Sequence, residues 1–158
     1  MLSQSVGYAA TALGFVAAAG GKPVLIKDIA DTTSIPAPYL AKIINLLARK
    51  GLVNTQRGVG GGVTLARSAV QISLLDLCNA LDDSSSHPRC MLGTAECSEE
   101  RACPAHQFWV AQRAQIQDFL ARMTIADVAA FETRRGWGVE PRASRTGTGR
   151  WPHDEAGS

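Results

Sequence analysis

At 158 residues and ordinary globular composition, the chain can form one hydrophobic core with an appendage. No run approaches the ~18 consecutive apolar residues of a membrane helix, which excludes a helical membrane span. The net charge of +2 hides an uneven distribution. From Thr32 through Leu75 there is no Asp or Glu, yet Lys42, Arg49, Lys50, Arg57 and Arg67 fall in that stretch. Chance in a low-charge chain is the bland explanation. The sharper one is a face that meets an anion, and nucleic acid is the obvious candidate.

The N-terminus, "MLSQSVGYAATALGFVAAAGG", is apolar and ends in small residues, as a signal peptide would. Its first Lys is Lys22, so a basic leading region is missing. Leu2, Val6, Leu13 and Val16 recur at helical spacing, which predicts an amphipathic helix over 3–19 stopped by "GGK". A cytoplasmic location follows, where cysteines stay reduced. A strand-like lead in "PVL" precedes a short helix over 26–33 and a turn at Ser34-Ile35.

A third helix begins at Pro36 and Pro38, which suit a helix cap and first turn, and runs to Lys50, with Gly51 closing it. Leu40, Ile43, Ile44 and Leu47 form its apolar stripe, opposite Pro38, Ala41, Lys42, Asn45 and Arg49. Helix, short turn and helix is the helix-turn-helix arrangement. Such a third helix enters the major groove with its N-terminal residues at base edges, which selects Tyr39, Ala41, Lys42 and Asn45 as DNA contacts, with Arg49 on the same face. Packing against the second helix is the competing role for Tyr39.

Strands over 53–56 and 63–66 flank the glycine-rich "RGVGGG". No Lys-Ser/Thr follows and no helix opens there, so the loop does not read as a phosphate cradle. As the wing of a winged helix it lets Gly60 and Gly61 approach the sugar-phosphate rail while Arg57 enters the minor groove. Ser73, with Asp76 three residues on, opens a fourth helix whose Leu74, Leu77, Cys78 and Leu81 share one face. Cys78 reads as a plain core residue.

The polar "DDSSSHPR" leads to a segment holding Cys90, Cys97, Cys103 and His106. A long helix over 104–123 follows, striped by Trp109, Ile116, Leu120 and Met123 with Phe108 and Phe119 beside it. One helix cannot bury so much apolar surface alone, so packing on the first domain and on a second copy is expected. Thr124 caps a last short helix, and the Gly-, Pro- and Arg-rich remainder should be disordered. The fold is mainly α: a winged helix-turn-helix with a two-stranded wing, plus a long C-terminal dimerisation helix. The expected division is a DNA-binding domain over 1–82, a linker and cysteine loop over 83–103, a dimerisation helix and cap helix over 104–131, and a tail over 132–158.

The cysteine spacing is C-x6-C-x5-C-x2-H, without the C-x2-C knuckles of common zinc sites. Wider spacing on a loop suits an iron–sulfur cluster, whose atoms fill more volume than one ion. Zinc and a metal-free thiol switch stay open, the latter through a Cys90–Cys97 or Cys97–Cys103 disulfide. The positive end of the long helix favours clustered thiolates. His87, in a Ser-rich linker, reads as solvent-exposed. No general-base or nucleophile constellation supports an enzyme.

The sequence resembles the dimeric winged-helix iron–sulfur regulators that include IscR, NsrR and RirA. The likeness spans about residues 2–131 and is carried by "GYAATAL", "PYLAKIINLLARKGLV", "RGVGGGVTLAR", "ISLLDLCNALD", the three cysteines and "MTIADV". It implies a homodimeric transcription factor that binds a palindromic double-stranded DNA operator and senses iron–sulfur, redox or nitric-oxide status. It further implies Cys90, Cys97 and Cys103 as cluster ligands. "CPAHQFW" is most similar to the IscR branch, which maps the fourth ligand onto His106 and favours [2Fe–2S] over [4Fe–4S]. Two departures stand out: six residues rather than five separate Cys90 from Cys97, and Ala41 replaces a Glu of that branch's recognition helix.

Overall fold

The computed structural model describes residues 2–87, 89–92, 96–101, 103–134 and 136. Among the described residues, six α-helices and one antiparallel pair of strands run in the order α1 (Gln4–Ala18), α2 (Ile26–Thr33), α3 (Ala37–Arg49), β1 (Val53–Gln56), β2 (Gly62–Leu65), α4 (Leu74–Ala80), α5 (His106–Arg122) and α6 (Ile125–Arg134). This is the winged-helix arrangement expected from the sequence.

Helix α1 starts where the Ser3 hydroxyl accepts the Val6 amide, and it is the central element of the core. Its Val6, Ala9, Leu13 and Val16 are buried against α2, α3, α4 and β2 on one side and α6 on the other. Leu13, Ile29, Leu40, Ile44, Leu47, Ile72, Leu77 and Ile125 are the large side chains at its centre, each worth roughly 1.5–3 kcal/mol on full burial. The turn between α2 and α3 closes on Ser34 in the left-handed region, at φ 58°. The α3 stripe of Leu40, Ile43, Ile44 and Leu47 faces inward as its spacing predicts.

The hairpin pairs Val53 with Leu65 and Gln56 with Gly62. β2 therefore starts one residue earlier than expected, at Gly62. A third segment joins the pair: Val24 and Val63 exchange both backbone hydrogen bonds, at 3.0 and 2.8 Å. A Cβ on Gly62 would lie 2.8 Å from the Val24 carbonyl oxygen, so only glycine admits this approach. The strand-like lead read in "PVL" is this single bridge.

Helix α4 opens with a complete capping box. Ser73 accepts the Asp76 amide, and the Asp76 carboxylate accepts the Ser73 amide. Thr124 and Asp127 repeat the pattern at α6. The elbow between α5 and α6 is pinned to the start of α4, since Leu74 donates to the Met123 carbonyl and Ile125 to that of Ile72, both at 2.8 Å. Helix α6 packs along α1. It also runs three residues past Phe131, into the expected tail. Arg135 and residues 137–158, with Arg142, Arg145 and Arg150, lie outside the described residues.

Candidate functional site

Two features could carry chemistry. The first is the acid-free face of α3 and the wing. Lys42, Asn45 and Arg49 are exposed on α3, and Ala41 is half-buried. Arg57 and Gly60 are exposed in the wing, whereas Gly61 is buried within its turn. A Cβ on Gly61 would sit 2.3 Å from the Gln56 carbonyl oxygen, so this glycine is needed to close the hairpin. Val59 stands fully exposed at the tip, a position the sequence reading passed over. Tyr39 is shared between roles. Its hydroxyl lies 2.6 Å from the Ser5 hydroxyl and its ring meets Tyr8 edge-on, yet the residue is 38% exposed. Both of these contacts are with α1, whereas the competing role expected from the sequence is packing on α2.

The second feature is the cysteine loop at the foot of α5. The segment doubles back on itself through an antiparallel bridge between Arg89 and Glu96. Two hydrogen bonds fasten it to α5. The Trp109 indole donates to the Arg89 carbonyl at 2.7 Å, and the His106 amide donates to the Cys103 carbonyl at 2.9 Å. His106 is thereby the first residue of α5, two residues later than the expected start at Pro104. Trp109 was read from sequence as an apolar stripe residue. The signal that it does more is its indole N–H, which needs a partner when the ring is half-buried.

The loop brings the four candidate ligands into two close pairs. Cys90 Sγ lies 3.9 Å from Cys103 Sγ, and Cys97 Sγ lies 3.3 Å from His106 Nδ1. All three loop cysteines are half-buried. With metal–sulfur bonds of about 2.3 Å and metal–nitrogen bonds of about 2.0 Å, two sulfurs on one tetrahedral metal sit about 3.8 Å apart and a sulfur and a nitrogen about 3.5 Å. Each pair therefore has the spacing of two donors on one metal. Among the described residues no three His, Cys, Asp or Glu side chains converge on one ion. Donors that gather two by two suit a centre with two metals better than a single zinc. The close sulfur pair, Cys90 with Cys103, is one that the sequence analysis does not name beside Cys90–Cys97 and Cys97–Cys103.

The neighbouring titratable groups stand apart from this set. His87, half-exposed, lies 2.7 Å from Asp82 through Nε2. Cys78 is fully buried in α4, and burial, reinforced by the nearby Asp83 carboxylate, pushes its thiol up to about 11. It is the core residue the sequence predicts. Burial also pushes the Asp83 carboxyl up, but hydrogen bonds from Ser3 and Ser85 outweigh it and bring the group down to about 2.

Helix α5 packs on α4 and on the Ser84–Ser86 turn that follows it. Leu120 is buried and Met123 packs on the core, while Phe108 is 61% and Phe119 52% exposed, with Ile116 also exposed. No described helix is long and apolar enough to cross a membrane.

Comparison with known proteins agrees with this layout. Residues 2–130 match the family described as Rrf2, "Iron-dependent Transcriptional regulator". The HTH-type transcriptional regulator IscR of Sodalis glossinidius is 33% identical over 126 residues, which span 79% of this chain and 76% of that protein. The solved structure of T. potens IscR superposes with a TM-score of 0.66 at 25% identity, covering 86% of this chain and 90% of the other. CymR, the global cysteine regulator of B. subtilis, superposes at 0.67 with 24% identity, over 83% of this chain and 97% of its own, and shows the shared fold.

Proposed function

The chain belongs to the Rrf2 family of transcriptional regulators, and from that premise we propose that it is a homodimeric DNA-binding regulator whose affinity for its operator responds to an iron–sulfur cluster held by Cys90, Cys97, Cys103 and His106. The observation that carries the reading is the gathering of three thiols and one imidazole into two pairs of metal-donor spacing. The 2 + 2 grouping favours [2Fe–2S] over [4Fe–4S]. The likeness to IscR supports an iron–sulfur centre. When bound, such a cluster supplies one-electron redox chemistry and sensitivity to oxidants.

The chain's own residues supply the rest. Trp109 and the His106 amide hold the donor loop against the first turn of α5. The far end of α5 is locked to α4 through Met123 and Leu74, so a change at the loop reaches the winged helix through one rigid helix. Lys42, Asn45 and Arg49 on α3 present donors to the major groove, with Tyr39 and Ala41 at its edge. Arg57 and the glycine turn containing Gly60 and Gly61 approach the minor groove and phosphates. The exposed Phe108, Ile116 and Phe119 face of α5 is covered by the same face of a second copy, and such a two-fold dimer reads a palindromic operator.

The test is anaerobic purification followed by iron and sulfide analysis, with operator binding compared for cluster-loaded and iron-free protein. Equal iron and sulfide with a shift in affinity between the two forms supports the reading. Metal-independent binding by a chain that takes up no iron overturns it.

A further inference from the structure

Cys90 and Cys103 are thirteen residues apart in the chain, yet each is tied to the same two turns of α5. Cys90 follows Arg89, whose carbonyl accepts the Trp109 indole at 2.7 Å. Cys103 presents its own carbonyl to the His106 amide at 2.9 Å. These anchors bring the two sulfurs to 3.9 Å, while Cys97 faces an imidazole nitrogen at 3.3 Å. A disulfide needs about 2.05 Å between sulfurs, a gap that side-chain rotation on a half-buried loop can close.

The geometry points to a specific modification site: in the iron-free protein Cys90 and Cys103 form an intramolecular disulfide, and Cys97 stays a thiol beside His106. The oxidant is a small-molecule disulfide such as oxidised glutathione. One protein thiolate attacks a sulfur of the reagent, breaks its S–S bond and releases one small thiolate. The second protein thiolate attacks the protein-side sulfur of that mixed disulfide and releases the other. The two protein thiols give up two electrons and two protons, and the reagent's disulfide becomes two thiols. The bond consumes one donor pair, so oxidation and metal loading compete for the same two sulfurs.

The experiment uses the full-length chain stripped of iron with a chelator and incubated with oxidised glutathione, then alkylated and mapped without reduction. Trypsin leaves Cys90 and Cys97 on one peptide, so cleavage after Glu96 is added to separate them. The expected product has lost two hydrogens, links Cys90 to Cys103 and carries the alkyl label on Cys97. Cys97→Ser retains the link; Cys103→Ser loses it and accumulates glutathione on Cys90. A wild-type link that involves Cys97, or three glutathione adducts with no internal bond, overturns the assignment. Because the mapping is done without iron, its outcome is separate from whether the chain takes up a cluster.

Discussion

Ser3 and Asp83, eighty residues apart in sequence, are joined by a hydrogen bond of 3.0 Å from the Ser3 amide to a carboxylate oxygen of Asp83. The bond ties the start of α1 to the segment that leaves α4 for the cysteine loop. Asp83 is 4% exposed and also accepts the Ser85 amide at 2.9 Å. The carboxylate is therefore held charged, at about 2 against an ordinary 3.8. The folded value lies below the unfolded one, so the stabilisation is fully present above about pH 4. It is lost as the pH falls toward 2. Its size is about 2 kcal/mol. Asp83→Asn should be less stable than wild type by about that amount in urea at pH 7, and the gap should close by about pH 2.

Helix α1 offers a pair of glycines with opposite expected effects. A Cβ at Gly7 meets nothing within 4 Å, whereas one at Gly14 lies 3.0 Å from Cγ1 of Val128 on α6 and 3.5 Å from the Ala129 backbone. Gly7→Ala should raise stability by about 0.5–1 kcal/mol through helix propensity. Gly14→Ala should fall below wild type, because the stiff β-branched Val128 cannot turn aside. Thermal melts of the two variants check this, and Val128→Ala should restore Gly14→Ala in part.

The four cysteines should divide by reactivity. Cys78 is fully buried with its thiol pushed up to about 11, while Cys90, Cys97 and Cys103 are half-buried on the loop. Iodoacetamide on the native, iron-free protein at pH 8 should label the loop cysteines and leave Cys78 untouched until denaturant is added.

At the DNA face, Arg57→Ala should weaken operator binding and reduce the slope of log affinity against log salt by about 1. Fluorescence anisotropy across a salt series measures both. Unchanged affinity and slope would remove Arg57 from the interface.

Most of the fold was legible because its signals are local. Ser73 with Asp76 gave the start of α4, and the four-residue stripe from Leu40 to Leu47 gave the buried face of α3. The helix-turn-helix spacing and the glycine wing followed. What escaped depends on contacts between distant segments. Val63 of β2 also pairs with Val24, 39 residues upstream, and α6 packs on α1 at Gly14. Neither leaves a periodic trace. At the candidate site the cysteines and His106 stand out in the sequence, but which of them the fold brings close does not. Cys97 sits between Cys90 and Cys103 in sequence, and the fold passes over it to join the outer two. That choice is made by Trp109 and the first turn of α5, which the stripe pattern assigned to packing.

In the proposed site the two donor pairs hold a two-iron centre. The most direct measurement is iron and inorganic-sulfide content with Mössbauer spectroscopy of the anaerobically purified full-length protein, beside His106→Ala. The expected result is about two irons and two sulfides per chain, with the spectrum of one iron altered in the variant. One zinc per chain without sulfide, or a four-iron spectrum unchanged by loss of His106, would contradict it.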